Sequence, residues 1–193
     1  MARQPAKMLE PVDVCRLQAH VGSLRHGTRN RVIIEASFKA GLRACEIAGL
    51  TWPMVLTSCG KISDHLTIAQ SIAKYGSGRC IPMHMDLKKA LRSHHRSSDR
   101  PMEGPIIVSE RGGHMSAQSI VNWFSEVYSE LGIIGASSHS GRRTFITRSA
   151  RAISKAGGSL RDVQELAGHR ALTTTERYIM GDRDAQRKLI RML

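Results

Sequence analysis

Four separated segments of the 193-residue chain hold the side chains best suited to chemistry on an anionic group. The first is Gly41-Leu42-Arg43-Ala44-Cys45-Glu46-Ile47-Ala48-Gly49-Leu50. The second is Ala73-Lys74-Tyr75-Gly76-Ser77-Gly78-Arg79-Cys80-Ile81-Pro82, and the third His139-Ser140-Gly141-Arg142-Arg143-Thr144-Phe145. The fourth is Leu166-Ala167-Gly168-His169, with Tyr178 nine residues after the histidine. Arginine presents a permanently charged fork that matches anionic oxygens, and lysine is a poorer substitute. Histidine donates hydrogen bonds and moves protons near neutral pH. His139 and Arg142 stand at i and i+3 on one predicted helix, so their side chains share a face. Glu46 lies one turn on from Arg43, where it would brace a basic residue rather than react. Each segment alone is a weak signal, because H-x-x-R occurs in many unrelated proteins.

These side chains need elements to position them. Residues 8–22 read as a first helix, with Leu17 and Val21 at helical spacing and Gly22 as the stop. Residues 30–40 read as a second, capped by Asn30 and ended at Gly41. A short helix follows from Arg43 to Leu50, ended by Pro53. The runs Met54–Thr57, His65–Ile72 and Arg79–His84 read as a three-stranded antiparallel sheet with glycine-containing turns. Residues 86–96 and 116–131 return to helical spacing, the latter capped by Ser116. The last third is helical: 139–156, then Leu160–Ala167 with Ser159 and Asp162 at capping-box spacing, then a helix where Thr173 and Glu176 repeat that spacing. The expected fold class is α+β, mainly α-helical with a small antiparallel three-stranded sheet.

Composition narrows the partner. The chain has 29 Lys+Arg against 16 Asp+Glu, a formal net charge of +13. That excess points to a polyanion, nucleic acid first and a membrane surface second. Aromatics make up 4%, too few for the stacking platforms of single-strand binders. Duplex phosphate contact through Arg and Lys fits better. No apolar run approaches the roughly 20 residues of a membrane span. The four cysteines contain no C-x-x-C pair, which fits reduced thiols in a cytoplasmic protein and disfavours a disulfide framework or structural zinc. The paired histidines His94-His95 lack ligand partners at metal spacing and read as surface residues.

Taken in order, the four segments resemble the catalytic domain of the tyrosine recombinases, the phage integrase family. The family pattern is an Arg in G-L-R-x-x-E-I-x-x-L, a Lys on a β-hairpin, H-x-x-R, then G-H and a nucleophilic Tyr. The resemblance covers about residues 41–180 and implies the fold of that domain. It implies that Arg43 and Arg142 clamp the non-bridging oxygens of a scissile phosphate, and that His139 and His169 donate hydrogen bonds or assist proton transfer. It makes Tyr178 the nucleophile, which needs activation because a free phenol has a pKa of about 10. Lys74 becomes the general acid for the 5′-oxygen leaving group. Lys61 sits in the neighbouring turn, but Arg79 and Pro82 match the strand after the family lysine, which favours Lys74. No metal or other cofactor is implied, since cationic side chains take the electrostatic role of Mg²⁺.

The activity so implied is site-specific cutting and rejoining of duplex DNA through a covalent 3′-phosphotyrosine. The implied partners are duplex DNA, further copies of the chain in a tetrameric synapse, and accessory DNA-bending or directionality proteins, with no membrane. Two alternatives remain: a small type IB topoisomerase-like enzyme, and a non-catalytic DNA-binding regulator on the same fold. The sequence departs from the commonest family pattern at Gly141 and Arg143, which flank Arg142 where Leu and His are usual. Arg43 also comes too early for the usual core-binding domain. Residues 1–193 are therefore expected to form one catalytic domain, either a compact single-domain member or a catalytic fragment, with 179–193 a tail that docks on a neighbouring protomer.

Overall fold

The computed structural model describes residues 6–73, 76–178 and 190–191. The elements run α1 (Pro11–Ser23), α2 (Gly27–Lys39), α3 (Ala44–Ala48), β1 (His65–Ile68), β2 (Arg79–Pro82), α4 (Met85–Ser97), α5 (Ala117–Glu130), α6 (Ser140–Ala152), α7 (Leu160–Ala167) and α8 (Leu172–Glu176). The fold is mostly helical with one small antiparallel sheet, as expected, though the sheet is two-stranded among the described residues. β1 and β2 pair from His65–Pro82 to Ile68–Arg79. The expected third strand is not formed. Trp52–Met54 is a 3-10 turn with Pro53 in its first turn, and its run contributes only a Leu56–Ile62 bridge. Proline has no N–H to give a ladder, so the chain turns there instead.

One apolar core binds α1 to α5 and the hairpin together, with Trp52 and Phe124 among its largest fully buried side chains. α2 is its central helix. It packs on α1, α4 and α6, so it is apolar over most of its circumference, with Val32, Ile33, Ile34, Ala36 and Phe38 all buried. It begins at Gly27, and the expected cap Asn30 instead lies buried inside it. Tertiary packing on three sides carries the helix a turn further back than local capping chemistry suggests. A second, smaller core of Ile146, Val163 and Ala167 joins α6 to α7, and Tyr178 packs against it.

The capping expectations divide cleanly. Ser116 accepts from the Ser119 N–H at 3.0 Å and starts α5. Ser159 and Asp162 form a reciprocal capping box on α7. Thr173 and Glu176 do not cap α8, which starts at Leu172 from Ala171. His94 and His95 are buried rather than exposed. Both rings lie against Trp52, and their Nε2 atoms pair with the carbonyls of Ile106 and Pro101 at 2.8 and 2.9 Å. Loop carbonyls satisfy the two imidazoles, so they need no metal or charged partner to be buried.

Candidate active site

The site forms where four chain segments meet: the loop into α3, the start of β2, the first turn of α6, and the turn after α7. Arg43 is the N-cap residue of α3. Its backbone N–H donates to Glu46 Oε2 at 2.8 Å and its guanidinium to Glu46 Oε1 at 3.1 Å. A carboxylate in the first turn of a helix suits the positive end of its dipole. Here it also fixes the direction of Arg43.

Glu46 is fully buried. Its second partner is Arg79, which donates from Nη1 to Oε1 at 2.8 Å and from Nη2 to Oε2 at 3.1 Å. Burial alone would push the Glu46 carboxyl up. The hydrogen bonds and charges of Arg79 and Arg43 outweigh it and hold the group below its usual range. The Nε of Arg79 donates to the Leu166 carbonyl at 2.9 Å. One buried arginine thus ties the Arg43 helix to the end of α7.

Arg142 is almost completely buried, at 4% exposed. Nη1 donates to the Gly41 carbonyl. Nη2 donates to the Ala167 carbonyl at 2.7 Å and to His169 Nε2 at 2.9 Å. Two buried arginines, Arg79 and Arg142, therefore satisfy the last carbonyls of α7, at the negative end of that helix. Burial, and next the charge of Arg43, push the Arg142 pKa down to about 10. It stays charged at neutral pH. Three of the five N–H donors of its guanidinium are engaged within the described residues.

α7 ends at Gly168, which adopts φ +61°. A side chain there would be strained by that dihedral, and a Cβ would come within 2.8 Å of Arg79 Nη1. The turn delivers His169 against Arg142. Arginine has no acceptor, so His169 Nε2 must accept. The ring proton then lies on Nδ1 and donates to Thr175 Oγ1 at 2.9 Å. Burial first, then Arg142, Arg43 and Arg79, push the His169 pKa down to about 4. His169 is neutral near pH 7 and faces Arg142 as an acceptor, with its Nδ1–H turned to Thr175.

Tyr178 follows α8, and its ring stacks on His169 at a centroid distance of 5.7 Å. Its backbone is held at both ends: the N–H donates to Thr175 O at 3.0 Å, and Thr147 Oγ1 donates to its carbonyl at 3.3 Å. The stacked ring sets the Tyr178 side chain against the histidine that pairs with Arg142. Of the other tyrosines, Tyr128 is core, stacked on Phe124. His139 is the exposed N-cap residue of α6.

The structure therefore brings Arg43, Arg142, His169 and Tyr178 into one cluster, with His139 at the start of the helix that carries Arg142. Lys74 lies outside the described residues, as does Tyr75. Arg79 and Thr175 join the site although sequence spacing does not single them out. Arg79 stands on the strand expected to follow the hairpin lysine, and Thr175 is three residues before Tyr178. Arg148 is used elsewhere: it donates to the Leu9 carbonyl at 3.0 Å, holding the segment before α1.

A model of the phage integrase family matches residues 7–184. The chain belongs to the phage integrase family. Among curated tyrosine recombinases, it is 29% identical to XerC of Xylella fastidiosa strain 9a5c, over 153 residues that make up 79% of this chain and 48% of that protein. It is 30% identical to XerD of Mycobacterium leprae over 165 residues, with the same coverage of each. The chain thus spans about half the length of these relatives. Among solved structures, the Tn1549 transposon integrase bound to transposon right end DNA superposes with a TM-score of 0.75 at 19% identity, covering all of this chain and 67% of that one. XerA recombinase gives 0.72 at 21% identity, covering all of this chain and 66% of that one. These two likenesses establish the integrase fold for the chain.

Proposed function

We propose that residues 1–193 act as the catalytic domain of a site-specific DNA recombinase, which cuts and rejoins duplex DNA through a covalent 3′-phosphotyrosine on Tyr178. The observation that carries the reading is the convergence of Arg43, Arg142, His169 and Tyr178 from separate elements into one cationic cluster. The Tn1549 transposon integrase has been solved with transposon right end DNA and lambda integrase with a core site, which supports duplex DNA as the partner here. Recombination of that kind requires several copies on paired sites, and we extend the proposal to a homo-oligomer on DNA in the cytoplasm.

The division of labour follows from the hydrogen bonds. Arg43 spends one guanidinium contact on Glu46 and is about one-fifth exposed, so it is the arginine best able to reach a non-bridging oxygen. Arg142 is largely committed to the protein and supplies mainly a fixed positive charge in a low-dielectric setting, where it acts strongly. In the step itself, the Tyr178 oxygen attacks phosphorus in line. The Tyr–phosphate bond forms as the bond to the 5′-oxygen breaks. The phenol proton passes to solvent as Tyr178 attacks, the phenolate so formed is stabilised by Arg142 and Arg43, and neutral His169 orients the Arg142 guanidinium. His139, exposed at the start of α6, is the proposed donor to a phosphate oxygen. The leaving 5′-oxygen takes a proton, for which Lys74 is the proposed source. Reversal by the 5′-hydroxyl of another duplex rejoins the strand, with the bond energy conserved and no ATP required.

The test is covalent trapping on a nicked suicide duplex. Wild-type protein should form a DNA adduct stable to denaturation, and Tyr178→Phe should form none while binding the duplex nearly as well. Equal trapping by the variant would overturn the assignment. Plasmid relaxation without any two-site joining would point to the topoisomerase-like alternative.

A further inference from the structure

A second strongly basic feature lies away from the cluster just described. The turn Thr57–Lys61 and the last turns of α4 enclose a recess of about 570 Å³ lined by Lys61, Arg92, Arg96 and Arg100, with His95 and Met102 beside them. No carboxylate lines it. The four cations are exposed, and none makes an ion pair within 4.0 Å among the described residues. Several cations elsewhere are paired with acids, among them Arg16 with Asp13, Arg25 with Glu110, Lys39 with Asp86, Lys88 with Asp64 and Arg161 with Glu165. Asp64 also feels Arg92, but it is paired to Lys88. Like charges gathered around a concavity without acids repel one another and gain most from a bound anion.

The cations are held, not merely adjacent. Arg92 and Arg96 are i and i+4 on one face of α4. Arg100 is brought back beside them by two consecutive left-handed residues, Asp99 at φ 59° and Arg100 at φ 53°. Aspartate tolerates that region, but a long side chain such as arginine rarely adopts it. The conformation is secured by the Arg100 N–H, which donates to the His95 carbonyl at 2.9 Å. Across the recess, Lys61 is fixed by a closed turn. Thr57 N–H donates to its carbonyl at 2.8 Å, and its own N–H donates to Thr57 Oγ1 at 3.3 Å.

The recess sits at the far end of the hairpin from the active site. Arg79, beside Glu46, pairs with Ile68 at one end of the ladder; His65 pairs with Pro82 at the other, and Lys61 precedes His65. One scissile phosphate cannot serve both places. We propose that this recess is a second phosphate-binding site, which takes the sugar–phosphate backbone of duplex DNA away from the point of cleavage. Guanidinium forks suit phosphate oxygens. A peptide ligand is less well served, since Met102 is the one exposed large apolar side chain on the lining.

The inference rests on the proposed DNA function for its choice of polyanion, and its test is separate from trapping. The full chain is titrated with a long and a short duplex over a range of salt concentrations. Arg96→Ala/Arg100→Ala is compared with Arg16→Ala/Arg161→Ala, which removes the same charge from ion-paired positions. Each lost phosphate contact lowers the salt-dependence slope by about 0.9. The recess variant should lose about 1–2 units of slope on the long duplex, with little change on a duplex that covers only the cleavage site, and the control pair should lose less. Equal slopes for the two variants would overturn the inference, and leave the trapping result untouched. So would tighter binding of a poly-glutamate peptide than of DNA at the recess. A slope loss in a protein that forms no covalent adduct would uphold the recess and overturn only the catalytic reading.

Discussion

Acidification should destabilise this protein through one identifiable histidine. His169 is held neutral because Arg142 donates to its Nε2 and Thr175 takes its Nδ1–H. Folding pushes its pKa down from the ordinary 6.5 to about 4. Between those values the unfolded chain binds a proton that the folded chain refuses. A group of this kind leaves stability intact above the unfolded pKa and removes it as pH falls toward the folded one. From pH 7.5 to pH 5 the loss works out at roughly 2 kcal/mol, about 1.4 kcal/mol per pH unit over the interval below 6.5. Buried His94 and half-exposed His84 also have lowered pKa values, so the whole-protein slope is not diagnostic. The comparison needed is with His169→Gln, whose amide oxygen can accept from Arg142 but cannot titrate. Urea unfolding at both pH values gives the four free energies. Wild type should lose about 2 kcal/mol more than the variant between pH 7.5 and 5. A double difference near zero would refute both the tautomer and the Arg142 contact. The same neutral histidine predicts a cleavage rate with no His169 ionisation step between pH 5.5 and 8.

Three substitutions test the surrounding frame. Glu46→Gln leaves Arg79 and Arg43 without their buried countercharge and should cost about 3–5 kcal/mol, read by thermal unfolding; a change under about 1 kcal/mol would contradict the buried network. Gly141→Ala drives a Cβ into Ser37 Oγ, where α6 meets α2. It should destabilise by about 1–3 kcal/mol, despite alanine's better helix propensity, and a more stable variant would show that the helices are not that close. Thr175→Val removes the His169 Nδ1 partner without changing shape. Cleavage should fall about tenfold or more with duplex affinity unchanged, and Thr175→Ser should restore most of the rate; a loss that serine fails to rescue would argue for packing instead.

Much of this fold is visible in the sequence where local chemistry decides. Ser116 and the Ser159–Asp162 pair cap their helices because the bonds they make are within three residues. The sequence misleads where distant groups decide. Asn30 looks like a cap, yet packing on α1, α4 and α6 extends α2 past it. Thr173 and Glu176 have capping spacing, yet α8 begins two residues earlier than a Thr173 cap would start it, from Ala171. His94 and His95 look like surface residues because their partners, Trp52 and the carbonyls of Ile106 and Pro101, lie in other segments. Gly141 looks like a weak point in a helix, when it is where two helices touch.

The candidate site divides in the same way. Arg43, Arg142, His169 and Tyr178 are legible because the order of short motifs marks them. The protonation of His169 is not legible, since it depends on Arg142 reaching Nε2 across 27 positions of sequence. Nor is Arg79, whose importance lies in joining Glu46 to the Leu166 carbonyl, 87 positions further on. A buried arginine on a strand edge carries no local mark of what it holds.

The central claim is that Tyr178 becomes covalently joined to the 3′-phosphate of a cut strand. The most direct measurement traps wild-type protein on a suicide duplex, digests the adduct with nuclease and protease, and locates the modified residue by mass spectrometry. The account predicts one peptide containing Tyr178, carrying a nucleotide through its 3′-phosphate. An adduct mapped to Tyr75 or Tyr128, a 5′-linked nucleotide, or DNA cleavage with no adduct at all would contradict it.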